Sequence, residues 1–196
     1  MDTKHGAAAT ATSTRWLIDP AHSLVEFAAK HMMITTVKGR VAIVGGTIFG
    51  EEGHPERSRV EVELDPASVD TGSPDRDKHL RSADFLNAEL HPNMMFRSTA
   101  LERKREGPPE QGEEFTLSGE LTIRNVTRPV KLDVTYEGRG QDPWGGERVS
   151  FSAKTKIDRR EWDLTWNQAL ESGGVLVSND LKVSIEIQAT REKPEQ

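Results

Sequence analysis

Residues 115–136 read FTLSGELTIRNVTRPVKLDVTY. Phe115, Leu117, Gly119, Leu121 and Ile123 alternate with Thr116, Ser118, Glu120 and Thr122. After a short polar break, Val130, Leu132, Val134 and Tyr136 alternate with Lys131, Asp133 and Thr135. Successive side chains of a strand point to opposite faces, so a period of two buries one face and wets the other. That is the pattern of antiparallel strands with one solvated side.

The same period recurs on both flanks. Upstream, Val25, Phe27, Ala29, His31 and Met33 form one face, and Val60, Val62 and Leu64 another. Downstream come Val149, Phe151, Ala153 and Ile157, then Leu181, Val183, Ile185 and Ile187. With residues 37–49 and 93–101 the total is about eight strands, and residues 17–18 form a further short one. Gly45-Gly46, Gly107-Pro108-Pro109 and Gly173-Gly174 are turn signals between runs. Residues 102–114 carry mixed charges around two prolines and predict a long solvated hairpin loop. No repeat or linker interrupts the pattern, which predicts one all-β domain over residues 15–192.

One segment breaks the alternation. Residues 73–81, SPDRDKHLR, predict a short helix with Ser73 as N-cap and Pro74 at the first helical position. Asp75 and Asp77 sit at its positive end, and Asp77 is spaced to pair with Arg81. So short a helix must lie against the sheet, with Leu80, Phe85 and Leu86 as anchors.

Composition narrows the function. Leu, Ile, Val and Phe make up about a fifth of the 196 residues, just above the disordered range. The net charge is −6 and the mean hydropathy −0.64, so the predicted domain is folded but economical in its core. Cys is absent, which excludes a disulfide framework, a thiolate metal site and a Cys nucleophile. A pI near 5.6 argues against nucleic acid as partner. No apolar run is long enough for a transmembrane segment. Residues 1–14 predict a disordered tail rather than an export signal, because Asp2 opens the chain and Thr10, Thr12, Ser13 and Thr14 break up the alanines. The expected location is therefore cytoplasmic.

A closed eight-stranded barrel encloses either a packed core or a site for one small ligand. Gly119, Ala29, Ala153 and Thr155 leave the inward face sparsely filled and favour a cavity, although the period alone does not separate barrel from sandwich. Asp75, Arg76, Asp77, His79, Arg81, Asp84, Glu89 and His91 are the densest ionisable set, but their spacing fits no metal template. A capped, charged surface helix explains the same residues. The Met32-Met33 and Met94-Met95 pairs suit either a pliable ligand surface or a gap-filled core. No G-x-S-x-G, H-E-x-x-H, P-loop or G-x-G-x-x-G is present.

Ordered motifs along the chain resemble one family. They begin with residues 16–23 (WLIDPAHS), Phe27, Lys30-His31 and Val37-Lys38-Gly39, and continue with Asp70-Thr71 and residues 76–85 (RDKHLRSADF). His91-Pro92, Phe96-Arg97-Ser98, Leu121-Thr122-Ile123, residues 127–132 (TRPVKL), Ile157-Asp158-Arg159 and residues 173–178 (GGVLVS) follow. This order resembles the YceI-like family of lipocalin-like, polyisoprenoid-binding barrels, over essentially residues 15–190. Asn125 stands where that family has Gly in a turn, and Asp163 replaces the Gly after the aromatic of the Arg159 motif. The resemblance implies an extended antiparallel barrel with a long isoprenoid or similar lipid along its apolar interior.

The expected function is non-enzymatic binding, storage or transport of a long apolar lipid: a polyisoprenoid, isoprenoid quinone or fatty amide. Phe27, Ala29, His31, Met33, Phe96, Leu121, Phe151 and Trp166 are the candidate lining. Arg76, His79 and Arg81 are candidates for a head group, since cationic donors suit phosphate or quinone oxygens. No metal or cofactor beyond the bound lipid is expected, and a second copy of the chain is an expected partner. The competing readings are a hydrolase or isomerase using His79 and Asp84 at the barrel mouth, and a packed, stress-related interaction protein.

Overall fold

The computed structural model describes residues 13–51, 54–171 and 173–193. These residues form nine strands: β1 (Ser13–Ile18), β2 (Leu24–His31), β3 (Thr35–Glu51), β4 (Arg59–Asp70), β5 (Met94–Glu102), β6 (Glu114–Ile123), β7 (Val126–Gln141), β8 (Glu147–Asp158) and β9 (Val177–Arg191). One helix, α1 (Pro74–Arg81), lies between β4 and β5.

β1 and β2 share one place in the wall, because both pair antiparallel with β3 and with β9. A 3-10 turn at Pro20–His22 separates them, capped by the Asp19 carboxylate, which accepts from the Ala21 N–H at 3.1 Å. The Asp19 N–H still donates to the Gln188 carbonyl at 2.8 Å, so β9 runs past the break. Counted this way, eight antiparallel positions follow one another in chain order and close where β9 pairs with β1 and β2. The expected closed barrel with one helix is what forms.

The barrel has two unlike ends. At the helix end lie α1, the β2–β3 turn at residues 32–34, the β6–β7 turn at 124–125 and a 3-10 turn, Arg159–Trp162. Trp162 fills this end with no exposed surface, its indole N–H donating to the Leu121 carbonyl at 2.9 Å. At the far end lie a 3-10 turn, Pro55–Arg57, and the β5–β6 loop, residues 103–113.

Several local expectations need correction. Ser13 and Thr14 belong to β1, opposite Glu51 and Gly50, and not to a tail; the rest of the predicted tail lies outside the described residues. β2 ends at His31, and Met33 sits in the turn with φ +61°, 58% exposed. A turn built from Met32-Met33-Ile34 carries no polar punctuation, so the alternation runs on past the true strand end. Ser73 makes no side-chain capping bond. Asp77 is buried and does not pair with Arg81; its Oδ1 accepts from the Thr71 N–H (2.9 Å) and Oγ1 (2.6 Å), pinning α1 to the end of β4. The two departures from the family pattern fit their backbone: Asn125 has φ +64° and Asp163 φ +59°, a region that Asn and Asp tolerate best after Gly.

Candidate functional site

The inward faces of all eight positions surround a cavity of about 250 Å³. Its wall is the predicted alternation: Val62 and Leu64 from β4, Leu117 from β6, Val130 and Leu132 from β7, Ile185 from β9. Strand pairing sets the layers, since Leu117 lies opposite Leu132 and Phe151 opposite Ile187. The rings of Phe115 and Phe151 meet edge to face at 6.3 Å, and Tyr136 tilts against Phe151 at 5.5 Å. At the far end the cavity reaches Pro55 and Ser58, then Arg103 and Pro109 of the β5–β6 loop. Arg103 is the one charged side chain on its border among the described residues.

The β5–β6 loop is not the solvated hairpin expected from its charges. The side chains of Arg103 and Glu113 are largely shielded, 5% and 9% exposed. Nε of Arg103 donates to one Glu113 oxygen and Nη2 to the other, both at 2.9 Å, and Nη1 donates to the Gly107 carbonyl at 2.9 Å. Burial pushes the Glu113 carboxyl up, but the hydrogen bond from Arg103, the Glu110 N–H and the guanidinium charge outweigh it and hold the group below its ordinary value. The pair closes the loop on itself over the end of the barrel.

The candidate lining divides in two. Phe96, Leu121 and Phe151 border the cavity. Phe27 packs into the core nearer the helix end, where its ring covers Gly39. Ala29 and His31 are half-buried and do not border the cavity. Met33 lies in the exposed turn, and Trp166 packs on His79 and Phe85, with ring centroids 4.5 and 5.3 Å away.

The candidate head-group residues lie around α1 and are held by local bonds. Arg76 donates to the Thr71 hydroxyl (2.7 Å) and carbonyl (3.0 Å), and Arg81 to the Val69 carbonyl (3.2 Å). His79 Nε2 is 2.9 Å from Asp84 Oδ2, and its ring stands edge-on to Phe85 and Trp166. None of the three borders the cavity. Among the described residues no hydroxyl is hydrogen-bonded to the His79 ring, and no cluster of metal-ligating side chains is present.

Two buried groups escape a reading by period. Arg103 and Glu113 are brought together by loop closure, which leaves no periodic trace. Arg159, 2% exposed, donates through Nε to the Ser178 carbonyl at 3.1 Å and through Nη1 to the Leu164 carbonyl, and so ties the start of β9 to the barrel end. Burial pulls its pKa below the ordinary value.

Comparison with known proteins agrees with this architecture. Residues 16–189 match the YceI-like domain. Protein YceI of Escherichia coli O157:H7 is 35% identical over 182 residues, covering 92% of this chain and 90% of that one. The crystal structure of the Campylobacter jejuni YCEI protein superposes with a TM-score of 0.65 at 26% identity, over 84% of this chain and 90% of that one. A polyisoprenoid binding domain from Saccharophagus degradans, implicated in plant cell wall breakdown, shares the fold with a TM-score of 0.60 at 12% identity, over 93% of this chain and all of that one. The chain belongs to the YceI-like family.

Proposed function

We propose that the barrel holds one apolar lipid chain in its interior cavity, as a carrier or store, and performs no chemistry on it. The observation that carries this reading is the cavity itself: about 250 Å³, walled by aliphatic and aromatic side chains from every position of a closed barrel. Apolar cavities stay dry and take up apolar guests, and each methylene moved from water into one contributes about 0.8 kcal/mol. The Saccharophagus degradans domain, described as polyisoprenoid binding, supports an isoprenoid chain as the guest; an isoprenoid quinone and a fatty amide are the alternatives. The His79–Asp84 pair stands apart from the cavity, which favours binding over turnover.

The volume lies just under the ~300–1,000 Å³ of small-molecule sites, so a long chain has to displace the Phe115 and Phe151 rings or emerge at the far end. Organic extraction of the purified protein followed by mass spectrometry, beside native mass spectrometry of the intact complex, tests the reading. An apolar chain in roughly stoichiometric amount is expected. Protein that carries none, and that takes up none from added prenols or fatty amides, would overturn it.

A further inference from the structure

The cavity wall carries one charged side chain among the described residues. Arg103 borders the cavity at the far end, its side chain 5% exposed and its charge matched by Glu113 in a two-pronged pair. A guanidinium has five N–H donors. Two are spent on Glu113 and one on the Gly107 carbonyl, which leaves two. An N–H that faces the guest gains from an accepting oxygen, and a hydrocarbon cannot supply one.

From this we infer that Arg103 receives the polar end of the guest, and that this end is an uncharged group with an accepting oxygen, such as a ketone, quinone, ester or amide carbonyl. The inference rests on the cavity being the site of an apolar chain, and adds which end points where: the chain toward Val130 and Ile157, the oxygen at the β5–β6 loop. Charge selects the class. Glu113 already balances the guanidinium, so a phosphate or carboxylate head would bring a second negative charge beside a buried carboxylate, where repulsion is poorly screened. A carbonyl takes the spare donors and adds no charge. Glu113 thus acts as a specificity residue through Arg103: it makes a cationic residue select a neutral head.

Matched twelve-carbon probes separate these terms: dodecane, 2-dodecanone and dodecyl phosphate, each competing against the uncharged fluorescent reporter N-phenyl-1-naphthylamine. The wild-type protein should bind the ketone about tenfold more tightly than the alkane, equivalent to ~1.4 kcal/mol, and more tightly than the phosphate. In Arg103→Met/Glu113→Gln, which removes the pair without orphaning a charge, the preference for ketone over alkane should shrink to twofold or less. In Glu113→Gln alone the guanidinium loses its counter-charge, and the phosphate should overtake the ketone. A wild-type preference for the phosphate, an unchanged ketone preference in the folded double variant, or an unchanged order in Glu113→Gln would each overturn the assignment. If the double variant does not fold, the order of heads in Glu113→Gln decides. Reporter that binds without any difference between ketone and alkane contradicts the role of Arg103 and leaves the chain site standing. Failure of every probe and the reporter to bind removes both.

Discussion

The ring of Phe96 on β5 lies so close over Gly119 on β6 that a Cβ built on the glycine would come within 2.5 Å of two ring carbons. The Arg97 carbonyl, at 2.6 Å, closes the other side. A small inward residue here is therefore filled space, and the cavity lies beyond the ring. Gly119→Ala should cost about 1–3 kcal/mol, the usual range for overpacking, read as a lowered melting temperature. In a Phe96→Leu background the cost should fall by half or more, because the two changes share one contact. Equal costs in both backgrounds would show that the ring does not occupy this place.

Asp77 carries the attachment of α1 through two bonds from Thr71, while the exposed Arg76 reaches the same residue from outside. Asp77→Ala leaves the half-buried Thr71 N–H without its acceptor and should cost about 1–3 kcal/mol. Arg76→Ala should cost less than half as much. Denaturant unfolding of the two variants checks the order, and a larger loss from Arg76→Ala contradicts it.

Arg148 bridges Asp19 (2.9 Å) and Asp142 (3.0 Å), joining the break between β1 and β2 to the β7–β8 turn. The hydrogen bond from Arg148 holds the Asp19 carboxyl below its ordinary value. The Gly146 N–H, with help from Arg148, does the same for Asp142. A carboxyl with a depressed folded pKa stabilises the fold fully above its unfolded value of about 4 and loses that contribution as pH falls through the folded one. Melting temperature should hold between pH 7 and 5 and decline below about pH 4. In Arg148→Met the acid decline should be shallower; an identical slope would exclude the bridge as a contributor.

His79 and Arg81 tie α1 to its neighbours and do not touch the cavity. His79→Ala and Arg81→Ala should leave the affinity for N-phenyl-1-naphthylamine within about twofold of wild type while lowering the melting temperature by a few degrees. A tenfold loss of affinity from either one would return the head-group site to the helix end.

The wall of the barrel was legible because burial on one face leaves a period of two in the sequence, and β6 and β7 follow it residue by residue. The helix was legible from Pro74 and its charge order, although its true anchor is Asp77 and not Ser73. The period did not mark where β2 stops, because the apolar residues Met32 and Met33 occupy the left-handed positions where Gly or Asn is expected. Nor did it show that a small side chain such as Gly119 can lie under a neighbour's ring. Arg103 and Glu113 look like any charges in a polar loop; only the closed geometry buries them together.

The central claim is that the interior is a site and not a packed core, and Ala153 tests it most directly. Ala153 is buried on β8 and borders the cavity between Phe151 and Thr155. Its replacement by Phe puts a ring where the guest lies. Titration of Ala153→Phe with N-phenyl-1-naphthylamine, beside its thermal melt, should show affinity lowered at least tenfold with the melting temperature held or raised. A melting temperature lowered by the ~1–3 kcal/mol of an overpacked core, with reporter affinity unchanged, would contradict the account.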